Sequence, residues 1–217
     1  REQVLDSRRL AQTEAPYFTP GFPLAFPLMH RMRIKSFDGA PTEKYAAPAG
    51  DPVVSDTREL AWHAPAEKTG LVTVDSDRTQ ALIGFVKANR KTLRNFSADV
   101  TTQFASLVLT SLDGKPIARA GKLLLSAGSR VANSGSKWNE TRTRMAAYGG
   151  PPTLIEPVSG TVVVRNLDKA TAVSAVAMDG AGRPLGSPIQ ARKTGEGWAL
   201  PVGETVTSWY VISIERR

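Results

Sequence analysis

Cysteine is absent from this chain of 217 residues, and histidine occurs only twice, at His30 and His63. Without cysteine the chain has no disulfides and no thiolate metal sites, and the sequence carries no clue to the redox compartment. The two histidines are far apart in sequence, and no cluster of His and carboxylate residues has metal-ligand spacing. The sequence therefore predicts neither a metal site nor a bound cofactor.

Long apolar runs are missing as well. No stretch approaches the ~18–20 consecutive apolar residues that span a bilayer, so we expect no transmembrane helix and no membrane partner. The chain begins at Arg1, and its first residues lack the charged, apolar and small-residue regions of a signal peptide. We therefore expect a mature product or a piece of a longer protein.

Positive charge is in excess, with a formal net charge of +8 and an isoelectric point near 10.0. A basic balance is typical of proteins that bind nucleic acids or anionic polymers. The Lys and Arg residues are scattered, however, and their densest group, at residues 87–94, reads more simply as a solvated loop or strand end. We expect no nucleic-acid partner and keep binding of anionic polymers as an alternative.

The chain after residue 50 alternates short apolar runs with turn residues. Runs at residues 105–111 and 122–127 flank the turn dipeptide Asp113-Gly114 and predict a buried hairpin at the centre of the fold, followed by a polar loop over residues 133–137. Similar runs predict strands at residues 60–62, 70–74, 81–86, 99–103, 161–165, 172–178, 197–200 and 209–214. This spacing predicts an all-β protein, an antiparallel sandwich of jelly-roll or Ig-like type.

Residues 1–50 differ in composition from the rest. A short helix fits residues 1–15, whereas residues 17–28 combine aromatic side chains with closely spaced prolines, among them Pro20, Pro23 and Pro27. Prolines at this density disfavour both an interior helix and a central strand, so we expect an irregular, extended strap and then a strand over residues 29–37. We predict two regions: 1–50, a strap or the tail of a preceding domain, and 51–217, a β-sandwich accessory domain.

No catalytic constellation stands out. A glycosidase needs two carboxylates held ~5–9.5 Å apart. No sequence context separates the candidates from surface acids; they are Asp56, Glu59, Asp75, Asp77, Glu140 and Glu156. Asp75 opens a segment that resembles a calcium loop, yet Gln80 and Val86 occupy the positions that require Gly and an acid. We interpret that segment as a turn between strands and expect the chain not to be an enzyme by itself.

The most site-like residues are Trp138, Asn139 and Glu140, because sugars stack on aromatic faces and form hydrogen bonds with amide and carboxylate groups. Trp62, next to His63, is a second candidate for carbohydrate binding. The alternative for Trp138 is packing beneath its own loop. The other tryptophans, at positions 198 and 209, lie in predicted strands and are expected in the core.

Arg142, which follows this segment, is a further candidate for carbohydrate binding. If Arg130, Lys137, Arg142 and Arg144 cluster around Trp138, the site fits an acidic polysaccharide. This hypothesis requires that the four side chains share one face.

Residues 55–157 contain several short motifs. They are Ser-Asp-Thr at 55–57 followed by Trp62, Gly-Leu-Val-Thr-Val-Asp at 70–75 followed by Arg-Thr-Gln at 78–80, Leu-Asp-Gly-Lys-Pro at 112–116, Trp-Asn at 138–139, and Gly-Gly-Pro-Pro at 149–152. In this combination the chain resembles the C-terminal β-sandwich region of large bacterial multidomain glycoside hydrolases.

The resemblance implies that the catalytic acid pair lies in a barrel outside this chain. It implies a non-catalytic accessory module of a secreted or periplasmic bacterial enzyme, which packs on the preceding catalytic domain, binds polysaccharide, or does both. Two alternatives stay open: a stand-alone carbohydrate-active hydrolase that uses a carboxylate pair, and a basic module that binds anionic polymers.

Overall fold

The computed structural model describes residues 25–33, 50–64, 69–140 and 144–217. The chain divides into two compact units, Arg1–Lys68 and Thr69–Arg217. The helix expected over residues 1–15 and the candidate site residue Arg142 lie outside the described residues. The region boundary expected after residue 50 stays a prediction.

The described part of the first unit contains a helical turn, α1 (Phe26–Met29), and the strands β1 (Val53–Val54) and β2 (Leu60–His63), which pair antiparallel. The prediction of an extended chain was wrong for residues 26–29, which form α1. Pro27 lies within the first turn of this helix, where its missing N–H removes no helical hydrogen bond. Residues 30–33, expected in a strand, are irregular.

The second unit is built from strands. In chain order they are β3 (Leu71–Asp75), β4 (Thr79–Gly84), β5 (Phe96–Val100), β6 (Ala105–Ser111), β7 (Lys122–Gly128), β8 (Val131–Ser134), β9 (Lys137–Trp138), β10 (Met145–Ala147), β11 (Gly150–Ile155), β12 (Gly160–Val164), β13 (Ala170–Met178), β14 (Pro184–Gln190), β15 (Arg192–Thr194), β16 (Gly197–Val202) and β17 (Trp209–Arg216). A single 3₁₀ turn, Ile117–Arg119, lies between β6 and β7.

Two antiparallel sheets form the body of this unit. The large sheet has the order β3-β4-β6-β7-β17-β13-β14, and the small sheet has the order β15-β16-β12-β5. The predicted hairpin β6–β7 lies at the centre of the large sheet, with its Asp113-Gly114 turn between the two strands.

Alternate residues of both sheets point into one shared core. The large sheet contributes Leu107, Leu125 and Ile212, and the small sheet contributes Phe96, Val162 and Leu200, all almost fully buried. These facing sheets confirm the predicted all-β antiparallel sandwich.

A buried polar network joins the two sheets at one end of the core. Gln80 on β4 is fully buried, and its Nε2 donates to Asp75 Oδ1 at 2.7 Å. The backbone N–H of Asn95, just before β5, donates to Gln80 Oε1 at 2.9 Å, and Asn95 Nδ2 donates to the carbonyl of Arg165, just after β12, at 3.0 Å. The network therefore fixes the large sheet against the small one with satisfied polar groups.

Strands β8 to β11 form a separate two-stranded ribbon between β7 and β12, called here the arm (residues 129–157). The polar loop expected over residues 133–137 is confined to residues 135–136. Asn133 pairs with Thr153 and Lys137 pairs with Ala147, so both ends of the expected loop belong to strands. No arm residue belongs to the core cluster of the described chain.

Candidate functional site

Trp138 is the most exposed tryptophan of the described chain, with 53% of its surface accessible. It lies on β9, opposite Met145 of β10. The side chain of Trp138 is therefore in contact with solvent.

The base of the arm exposes apolar side chains on both faces. Val131 pairs with Ile155 on one face, and Leu154 pairs with Ala132 on the other. Val131, Leu154 and Ile155 are 61%, 57% and 52% exposed. The arm is thus a ribbon whose two faces are both open to ligands.

The tip of the arm separates its aromatic and basic residues. Neighbouring residues of a strand point to opposite faces, so Lys137 points away from the face that carries Trp138. The backbone N–H of Asn139 donates to the carbonyl of Arg144 at 3.0 Å, which places Arg144 opposite Asn139 and on the Lys137 side. The expected cluster of these basic residues around Trp138 is therefore not formed.

Of the two remaining members of that expected cluster, the structure describes Arg130. Arg130 lies at the base of the arm, with its Nε 4.0 Å from a carboxylate oxygen of Glu156. Arg142 lies outside the described residues.

Tyr148 is a site residue that the sequence analysis missed. Its carbonyl accepts hydrogen bonds from Ser136 Oγ at 2.9 Å and from Asn133 Nδ2 at 3.3 Å. Since Lys137 pairs with Ala147 and Ser134 with Gly150, the same register sets Tyr148 opposite Ser136, on the face that carries Trp138. Its ring is 75% exposed. The sequence signal that could have identified Tyr148 is an aromatic residue directly before Gly149-Gly150, outside every predicted strand.

Glycine at position 149 fixes the bend of the arm beside Tyr148. Gly149 has φ +64°, and a Cβ there would lie 2.1 Å from the carbonyl oxygen of Ser134 on the facing strand. Any other residue would therefore force the two strands apart. The backbone conformation beside Tyr148 therefore requires glycine at position 149.

The other predicted binding residues have different environments. Asn139 is half-buried, and its side-chain oxygen accepts from the backbone N–H of Arg144 at 3.3 Å, so it closes the turn at the tip. Glu140 is exposed in that turn. Trp62 is half-buried on β2, opposite Val53, and belongs to the first compact unit.

The predicted carboxylates of the second unit lie in different environments. Asp75 accepts hydrogen bonds from Gln80 and from the backbone N–H of Arg94, so its carboxylate serves the network between the sheets. Two open depressions at the base of the arm share Glu156, which is the one acid among their lining residues. A glycosidase mechanism needs two carboxylates.

Asp56, another predicted carboxylate, lies in the first unit and accepts a hydrogen bond from His30 Nδ1 at 2.7 Å. Within the described ranges no three His, Cys, Asp or Glu residues are grouped so as to hold a metal ion. The same part of the chain has no helix with the length and apolar character to cross a membrane.

A second candidate surface is the side of the large sheet that faces away from the core, called here the outer face. The strand registers arrange its side chains in rows across the sheet. One row runs through Val74, Ala81, Val108, Ser126, Trp209 and Met178. The next row runs through Thr79, Thr110, Leu124, Val211 and Val176.

Charge is missing from these central rows, whose polar members are all hydroxyl residues. The nearest charged residues on the same side, Lys122 and Glu215, lie at one end of the face, beyond Val211. Most residues of the two rows are half-buried, Ala81 is buried and Trp209 is 41% exposed. The central rows of the outer face thus extend across six strands without a charged side chain.

Trp209 was wrongly expected in the core. Its neighbour Tyr210 points inward and is 1% exposed, so alternation along β17 turns Trp209 outward. Trp198 is half-buried against the core, with Lys193 Nζ 5.5 Å from the centre of its ring.

Comparisons of the chain with protein-family models, with curated proteins and with solved structures found no match.

Proposed function

We propose that this chain is a non-catalytic accessory β-sandwich module of a bacterial glycoside hydrolase, and that it packs on the catalytic barrel of the same parent protein through the outer face. The observation that carries the proposal is the absence of charge from the central rows of that face. The motif resemblance supplies the class of parent protein, which would act where polysaccharides occur, secreted or in the periplasm.

The composition of the outer face favours contact with another folded domain. Antiparallel sheets that expose one side to water normally alternate apolar residues inside with polar residues outside. On β17 this alternation fails, because Val211 faces outward and Ile212 inward. A large apolar patch of this kind marks an interaction site in a soluble protein.

The dimensions of the outer face agree with a domain interface. Strands lie ~4.8 Å apart and alternate residues ~6.8 Å apart, so the two rows between β3 and β13 cover roughly 24 Å by 14 Å. With a partner surface of the same size, the contact buries about 650–700 Å², which lies within the ~600–1,500 Å² typical of inter-domain interfaces.

Charge substitution in the parent protein tests this proposal. Val211→Lys places an ammonium group in the uncharged face, whereas Val131→Lys makes the same change on the arm and is the matched control. We expect the first variant to release the module from the catalytic domain after limited proteolysis between them, and the second to leave the two parts co-eluting. Co-elution of both variants would contradict the proposal.

Polysaccharide binding by the arm is a second candidate function, which the exposed rings of Trp138 and Tyr148 favour. Solvent-facing aromatic rings supply stacking surface for sugars. The two roles use different surfaces of the second unit, so one module is able to perform both. An acidic polysaccharide is less favoured as the ligand of Trp138, because Lys137 and Arg144 lie on the side of the tip opposite its ring.

A further inference from the structure

We propose that the face of the arm tip that carries Trp138 and Tyr148 binds a neutral polysaccharide by stacking sugar rings on these two side chains. This inference rests on the polysaccharide-binding role proposed above and names its ligand class and its residues. It concerns a surface separate from the outer face, so either proposal is able to fail without the other.

The first step is the placement of the two rings on one face. Trp138 pairs with Met145, and Ser136, just before β9, donates through its Oγ to the carbonyl of Tyr148, just after β10. Residues two apart in extended chain share a face, and the pairs Lys137–Ala147 and Ser134–Gly150 set Tyr148 opposite Ser136. The two rings are therefore successive positions along the ribbon, which suits a linear ligand with repeating rings.

The second step concerns charge. The basic residues that the structure describes at the tip, Lys137 and Arg144, lie on the side opposite the rings. On the side of the rings, the described residues Trp138, Met145 and Tyr148 supply apolar and aromatic surface and no cation. An acidic polysaccharide would gain from cations next to the stacking rings, so this arrangement favours a neutral chain.

The third step concerns size. Strand β9 has two residues and β10 has three, so the tip offers far less than the ~800 Å² per partner of a stable protein interface. Stacking of a sugar needs only the face of one aromatic ring for each sugar contacted. The tip is thus large enough for a saccharide chain and too small for a second folded protein.

The fourth step concerns pre-organisation. Ser136 Oγ and Asn133 Nδ2 both donate to the carbonyl of Tyr148, and Asn139 closes the turn beside Trp138. The bend at Gly149 excludes a side chain. The backbone that carries the rings is therefore fixed before the ligand arrives, which lowers the entropy cost of binding.

The test is affinity electrophoresis of the full chain through native gels that contain neutral polymers (cellulose derivatives, galactomannan, arabinoxylan) or acidic ones (alginate, polygalacturonate). The variants are Trp138→Ala and Tyr148→Ala. Trp209→Ala is the matched control, because this tryptophan is also exposed but lies on the outer face. A double variant, Lys137→Ala with Arg144→Ala, tests the basic side of the tip.

We expect at least one neutral polymer to retard the chain, and we expect about a tenfold loss of affinity in each ring variant, as for truncation of a central aromatic contact. The Trp209 variant and the double basic variant should migrate with the wild type, and retardation should not change with salt. Circular dichroism of each variant confirms that its fold is intact.

Three results would overturn the inference. The first is that no neutral polymer retards the chain. The second is retardation that survives in both ring variants. The third is retardation by acidic polymers alone, with a steep salt dependence and loss in the double basic variant. None of these results bears on whether Val211→Lys releases the module from its parent, so failure of the packing proposal stays distinguishable.

Discussion

Two exposed tryptophans separate the two candidate surfaces of the second unit. Trp209 lies within the large sheet, where β17 is paired on one side with β7 and on the other with β13. Trp138 lies on a ribbon in which β9 has a single partner, β10. Similar exposure therefore has different meanings. A ring within a broad uncharged sheet fits a flat partner domain, and a ring on a narrow ribbon fits a small ligand.

The two surfaces also differ in their relation to the core. Every outward residue of β17 alternates with a core residue, so the outer face is the reverse side of the main packing surface. The arm contributes nothing to the core cluster of the described chain. The outer face therefore keeps its shape for as long as the sandwich is folded, whereas the arm depends on its own ladder and turns.

The largest effect that sharpens this comparison is expected within β17. Ile212 is fully buried, and Ile212→Ala should lower the free energy of unfolding by about 2–5 kcal/mol through lost burial and a cavity. Val211→Ala, one residue away on the outer face, should cost well under half of that. Urea unfolding of both variants measures the difference. Equal losses would show that the outer face is packed as a second core even in the isolated chain.

A pair of asparagines provides the next test. Asn95 is 3% exposed within the polar network. Asn95→Ala keeps the backbone N–H that binds Gln80 but removes the side-chain donor to the Arg165 carbonyl and one acceptor of Gln80 Nε2, so it should cost about 1–3 kcal/mol in unfolding free energy. Asn133 makes comparable hydrogen bonds on the arm, but in solvent. Asn133→Ala should therefore stay within about 0.5 kcal/mol of the wild type. A reversed order of the two midpoints would contradict the separation of arm and core.

The strands of the sandwich could be predicted because their chemistry is local. Residues 105–111 and 122–127 are apolar runs on either side of an Asp-Gly turn, and they form the central hairpin β6–β7. The arm was missed for the opposite reason. Its residues are exposed on both faces, so β8 and β11 show no alternation of apolar and polar residues.

The orientation of Trp209 could not be predicted from the sequence. In β17 apolar side chains face both ways, so the pattern fits either phase of alternation. The pairing of β17 with β7 and β13 decides that Tyr210, and not Trp209, faces the core. Tyr148 was missed because its position opposite Ser136 arises from pairing across the bend at Gly149, which no local motif reports.

Adjacent glycines on the arm allow a more selective test. Gly149→Ala should distort the tip, because φ is +64° and the added Cβ would lie 2.1 Å from the Ser134 carbonyl oxygen. Gly150→Ala is the matched control, since nothing lies within 4 Å of its added Cβ. We expect the first variant to lose about tenfold in affinity for the neutral polymer, the cost of a lost central contact.

The thermal midpoint of the sandwich should be nearly equal in the two glycine variants, because the arm lies outside the core. If Gly149→Ala bound the polymer as the wild type does, the arm tip would not need its fixed bend. If it lowered the midpoint as strongly as a core substitution, the arm would be part of the cooperative unit.

The smallest expected effect concerns acid. The backbone N–H of Gly121 donates to Asp113 Oδ2 at 2.7 Å, and this bond, helped by the Ser111 hydroxyl and the Lys115 backbone N–H, lowers the pKa of Asp113 below its ordinary value of 3.8. The carboxylate therefore stabilises the folded hairpin above pH ~4. Its contribution is lost as the pH falls through the lowered pKa, because the folded state then has to take up a proton.

Asp113→Asn should accordingly lower the thermal midpoint slightly at neutral pH, and the difference from the wild type should shrink in acid. The β6–β7 turn belongs to the large sheet, whereas binding of a neutral polymer at the arm tip involves no titrating group. Retardation by the polymer should thus stay constant between pH 7 and 5 in both proteins, measured in parallel with the midpoints. A binding constant that changed with pH in step with the midpoint would mean that the arm and the large sheet respond as one structure, and the distinction between their surfaces would fail.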